Sequence, residues 1–126
     1  MLLQMADGHV ATPEKAAERA LEELREMGSD LREAAILDAD GEVLAATTDA
    51  EWKARAEELW GAADEGDWDP PTQIHVATDA GEVFAVRAPG GVSAIAVTPR
   101  FALESLMFCD LRAALRALRS TTALPA

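Results

Sequence analysis

The chain has one cysteine, Cys109, no tyrosine, and only two lysines, Lys15 and Lys53, among its 126 residues. A single cysteine excludes an internal disulfide. With so few lysines, dispersed arginines and a net charge of −12, the clustered positive charge that nucleic acid or an anionic membrane surface requires is missing. No apolar run approaches the roughly 18 residues of a membrane span. The opening MLLQMADGHVATPEK has neither a basic start nor a sustained apolar stretch, so no secretory leader is expected. Together these absences predict a cytoplasmic protein with neither a nucleic-acid nor a membrane partner. The acidity instead suits a partner with a basic patch.

What remains is enough for one domain with a real core. Residues 1–11 read as a flexible tail, 12–119 as a single domain and 120–126 as a second tail. Thr12-Pro13 predicts a helix start, with Thr as the cap and Pro at the first helical position. Ala17, Ala20, Leu21, Leu24 and Met27 form its apolar stripe, Glu18, Glu22 and Glu26 line another face, and Gly28-Ser29-Asp30 ends it. Ala34 to Leu37 are apolar on both faces, as in a strand covered on both sides. Asp38-Ala39-Asp40-Gly41 turns this strand into Val43 to Thr47. Asp49 is the expected cap of a second helix, whose stripe is Trp52, Ala56, Leu59, Trp60 and Ala63; the segment DEGDWDPP closes it. Ile74 and Val76 alternate with Gln73 and His75, the pattern of a sheet edge. Asp79-Ala80-Gly81 leads into Val83 to Arg87, and Ala88-Pro89-Gly90-Gly91 into a central strand, Val92 to Val97. Thr98-Pro99 repeats the Thr-Pro start for a last helix carrying Phe101, Leu103, Met107, Phe108, Leu111, Leu115 and Leu118. Arg112, Arg116 and Arg119 crowd its end, where the helix dipole favours cations. The order is α-β-β-α-β-β-β-α. LDADGEVLAA and ATDAGEVFAV carry the same turn twice because each joins two antiparallel neighbours.

This order, with LREAAILDADGEVLAAT, GEVFAVRAPGGVSAIAV and the long apolar helix that follows, resembles the roadblock/LC7 family over roughly residues 12–119. Profilin-like and PAS-type folds share part of the layout. The resemblance implies an α/β (α+β type) domain built on a five-stranded antiparallel sheet of order 2-1-5-4-3. The first and last helices would cover one face and the middle helix the other. It also implies a homodimer, joined by paired middle helices and by paired third strands, and a bacterial adaptor or regulator of a small Ras-like GTPase. A non-enzymatic interaction module is the main expectation; a small-ligand sensor of profilin/PAS-like type is the alternative. The candidate dimer or partner interface is Trp52, Ala56, Leu59, Trp60 and Ala63 with Gln73 and His75 of the edge strand. A charge at Ala56 or Trp60 is expected to separate the dimer and leave the fold partly intact.

No catalytic residue, cofactor or metal is expected. Cys109 reads as a thiol buried in an apolar helix, a small hydrophobe with no orienting group beside it. Asp64, Glu65, Asp67 and Asp69 do not have the spacing of a calcium loop and read as a solvated acidic turn. Pro89-Gly90-Gly91 precedes a strand and lacks the lysine of a phosphate-binding loop.

Overall fold

The computed structural model describes residues 12–27, 31–65 and 72–122, without the side chains of 120–122. The tail at 1–11, the helix stop at 28–30, most of DEGDWDPP and residues 123–126 lie outside the described residues. Helix α1 (Pro13–Met27) is followed by β1 (Glu33–Leu37), β2 (Val43–Ala46), α2 (Trp52–Ala63), β3 (Gln73–Ala77), β4 (Glu82–Arg87), β5 (Ser93–Thr98) and α3 (Glu104–Thr122). The strands form one antiparallel sheet of order β2-β1-β5-β4-β3. The strand read as an edge from its alternation is an edge, and the one read as central lies in the middle.

The sheet separates two cores. On one face α1 and α3 pack against each other and over Ile36, Phe84, Val86 and Ala96. On the other, α2 lays Trp52, Ala56 and Trp60 over Ala35, Leu37, Ala85 and Ile95. Alanine is a poor strand former by propensity, yet Ala34, Ala35, Ala85, Ala94 and Ala96 are fully buried in the central strands. Their small side chains leave deep space above the sheet, and large residues on the helices fill it. No helix among the described residues is long and apolar enough to cross a membrane.

The helix starts obey different chemistry. Thr12 Oγ1 accepts the N–H of Lys15 at 3.2 Å, so α1 has the expected cap. Asp49 does not cap α2: Glu51 occupies the cap position and makes no side-chain cap bond. The buried Trp52 indole instead donates to Thr48 O at 3.2 Å, tying the helix start to the preceding chain. The second Thr-Pro does not start a helix either. Thr98 remains in the ladder opposite Glu82, and α3 begins only at Glu104. Phe101 and Leu103 therefore lie outside the helix, 83% and 69% exposed. The physical reason is Glu82, whose carboxylate captures the N–H groups of Phe101 and Ala102.

The duplicated turn also works in two ways. In the first copy Asp38 Oδ1 accepts from the N–H of Asp40 and of Glu42 (2.9 and 3.0 Å), and Gly41 adopts φ +84°. In the second, Thr78 Oγ1 donates to Gly81 O at 2.8 Å and accepts its N–H at 3.1 Å. Gly81 is there for closeness, since a Cβ would collide with the backbone oxygen of Thr98.

Candidate functional site: the α2 face and the β3 edge

The seven residues of the candidate interface separate into two groups. Trp52, Ala56 and Trp60 are buried against the sheet within the single chain, with the tryptophans 2% and 8% exposed. Their bulk covers the alanine floor beneath them. Leu59 and Ala63 lie half-buried along the flank of the helix. Placing a charge at Ala56 or Trp60 therefore strikes the core, and neither substitution isolates an interface.

The face of α2 turned away from the sheet carries Ala54, Glu57, Glu58, Gly61 and Ala62, all exposed. A Cβ added at Gly61 would meet nothing within 4 Å. Ala54 and Gly61 are seven residues apart and so share a face two turns apart. The outward surface of α2 is thus low at Ala54 and at Gly61–Ala62, with Glu57 and Glu58 between them. Charged pairs border it: Lys53 with Glu42, and Arg55 with Glu33 at 3.8 Å. The Arg55 guanidinium also lies 4.9 Å above the Trp52 ring. At the end of β4 Arg87 covers Trp60 at 4.3 Å and grips Asp64 with two hydrogen bonds, at 2.8 and 3.1 Å. That bidentate grip is the first cause holding the Asp64 carboxyl below its ordinary value. The Trp60 indole N–H is buried and has no acceptor among the described residues.

Among the described residues strand β3 pairs only with β4, so on its outer side no strand takes up its backbone groups. Gln73 and His75 remain exposed but meet side chains of α3 of the same chain. Gln73 accepts from Arg112. The His75 ring stacks on Phe84, centroids 4.4 Å apart. One of its nitrogens lies 2.6 Å from Glu82 Oε1 and the other 3.1 Å from Glu104 Oε2. Glu82 is buried, and its carboxyl is held below the ordinary 4.5 by the His75 hydrogen bond first; the Phe101 and Ala102 N–H groups add to this against the effect of burial. With both ring nitrogens engaged by carboxylates, none faces a thiol. Cys109 is exposed rather than buried, because the stripe of α3 that meets the core runs through Met107, Phe108, Leu111 and Leu115 and leaves 109 outside it. Among the described residues no group of histidine, cysteine and carboxylate side chains is placed to hold a metal ion.

The sequence did not reveal the Glu82–His75–Glu104 network or the outward position of Ala54 and Gly61. The signal for the second was present in the alanine-rich strands. A floor of small residues draws tryptophan inward and leaves the other small residues of the helix outside.

No protein-family model and no curated protein matches the chain. Solved structures do. A roadblock/LC7 domain from Streptomyces avermitilis superposes with a TM-score of 0.66 at 18% identity, covering 78% of this chain and 90% of that one. The gliding protein MglB from Thermus thermophilus gives 0.65 at 18% identity, over 88% and 92%. LokiProfilin1, solved in complex with rabbit actin, gives 0.63 at 13% identity, over 86% and 96%. At such identities the likeness is one of fold, and the chain has the roadblock/LC7 fold that its sequence resembles.

Proposed function

We propose that this chain is a non-enzymatic, homodimeric adaptor that binds or regulates a small Ras-like GTPase. Two observations carry the dimer: an outer edge of β3 that pairs with no strand among the described residues, and a helix face low enough at Ala54 and Gly61 for another helix to approach closely. A glycine inside an exposed helix is destabilising relative to alanine, and close approach of a second backbone is the physical reason to have one there. Leu59 and Ala63 extend this surface, and Trp52, Ala56 and Trp60 hold it rigid from beneath. The strand edges of two copies would join into one continuous sheet, with the backbone of Gln73 to Ala77 as the seam. Two copies of α2 would then form the platform that a partner meets. The GTPase belongs to the reading through family resemblance. A preference of the platform for one conformation of the partner would shift that partner's balance of states.

Light scattering on the purified chain tests the dimer. Twice the chain mass is expected, falling to the single mass in Gly61→Glu with the fold retained by circular dichroism. A single mass for the unaltered chain removes the reading. Capture of a GTPase from native extract by the unaltered chain, and its loss with Gly61→Glu, tests the partner. The sensor alternative requires an enclosed cavity between sheet and helix; instead Leu24, Ile36, Phe84, Leu111 and Leu118, all buried, occupy the layer between the sheet and the α1–α3 pair.

A further inference from the structure

Four of the chain's nine arginines line one groove of 260 Å³ between α3, the start of β3 and the end of β4. Its floor is apolar: Val86, Ala88, Pro89 and Leu115. Arg112, Arg116 and Arg119 form one wall along α3, and Thr72 lies opposite. In a chain of net charge −12 this is a concentration of positive charge. Glu18 and Glu22 of α1 line a separate groove beside β2.

Helix-dipole chemistry accounts for only part of it. The dipole acts within the last turn, which contains Arg119 alone of the three. Arg112 donates to Gln73 and lies over the Phe108 ring at 5.8 Å. Both partners are neutral, so neither cancels its charge. Arg119 makes no ion pair among the described residues. Arg87 and Arg116 differ: Arg87 is met by Asp64, and Arg116 has a partner of its own.

The shape selects among anions. The groove is open, and its volume is below the ~300 Å³ at which pockets enclosing a small ligand begin. It has room for one anchoring side chain. Along α3, Arg112 to Arg119 spans about 10 Å, the length of roughly three residues of extended chain. We infer that this groove docks an extended acidic peptide segment of a partner protein. One apolar side chain would sit on Val86, Ala88, Pro89 and Leu115, with flanking carboxylates on Arg112 and Arg119. This surface is separate from the α2 platform and does not depend on it.

The test is fluorescence anisotropy of a labelled peptide, GEDFDEG, titrated with the full chain. Saturable binding is expected, with affinity reduced at least about tenfold in the peptide lacking the apolar anchor, GEDGDEG, and in Arg112→Gln/Arg119→Gln. The affinity should also fall as salt rises. The double variant alters partly exposed side chains, and its melting curve checks the fold. A benzophenone in place of the peptide's Phe provides a readout on the unaltered chain, with crosslinks expected within 86–89 or at 115. The inference is overturned by absence of saturation up to about 1 mM, by equal binding of GKRFRKG, by unchanged affinity in a folded double variant, or by crosslinks elsewhere. Binding that emerges only after Asp67→Asn, Trp68→Ala and Asp69→Asn would also overturn it, because the chain's own acid–aromatic–acid sequence would then be the occupant.

Discussion

Glu82 is a carboxylate set into the edge of a core, and its partners explain why it is tolerated there. One oxygen meets the His75 ring, and the other accepts two backbone N–H groups from the loop before α3. That loop holds Phe101 at φ +68°, a region non-glycine residues avoid. Because the Glu82 carboxyl is held below 4.5 in the folded chain, its contribution to stability is complete above that pH and is lost as pH falls through the depressed folded value. Glu82→Gln is therefore expected to lower the melting temperature at pH 7, with the gap to the unaltered chain closing on acidification below pH 4.5. Thermal unfolding followed by circular dichroism at several pH values reads this directly; a gap of constant size would show that the charge is not responsible. Asp110 has the opposite sign, since burial raises its carboxyl above the ordinary value. Gly81 makes a different prediction. Gly81→Ala drives a methyl into the Thr98 carbonyl and is expected to cost about 1–3 kcal/mol in urea unfolding, as overpacking does.

At the scale of the element, α2 has two faces with separate tasks. Its inner face is part of the core. Trp52→Ala is expected to cost about 3–5 kcal/mol by chemical denaturation, the range for losing a large buried aromatic. The outer face has no such role within one chain. Gly61→Ala adds a methyl to open space and removes a helical glycine, so a chain diluted to the monomer should gain roughly 0.5–1 kcal/mol. The same methyl should weaken self-association if α2 pairs closely with a second copy. Sedimentation and unfolding measured on one variant would then move in opposite directions, which no purely structural role for Gly61 would produce.

For the whole molecule, charge is the governing quantity. A chain of net charge −12 repels its own copies at long range, so a dimer held by helix packing and strand pairing should tighten as salt screens that repulsion. Analytical ultracentrifugation at low and moderate ionic strength is expected to show the dissociation constant falling with added salt. An acidic peptide on the arginine groove should show the reverse dependence. The two responses separate the two surfaces in a single preparation. The sheet links them: α2 lies on one face, and α3 with the arginine groove lies on the other, next to the edge strand β3.

Local chemistry and periodicity were sufficient, within the sequence, for the order of elements, the edge character of β3, the central place of β5 and the Thr12 cap. Each follows from side chains a few residues apart. The tertiary structure alone decided which face of α2 holds the tryptophans, because that depends on alanines in strands distant in sequence. It also decided that Thr98-Pro99 does not open a helix and that Phe101 is displayed, because Glu82 reaches across from β4 to take the N–H groups a helix start would have used. It decided, too, that two nearly identical turns close by different bonds, since only one has a neighbouring strand pressed against its glycine. Periodicity reports that a residue is covered; what covers it is set by chain segments that meet only after folding.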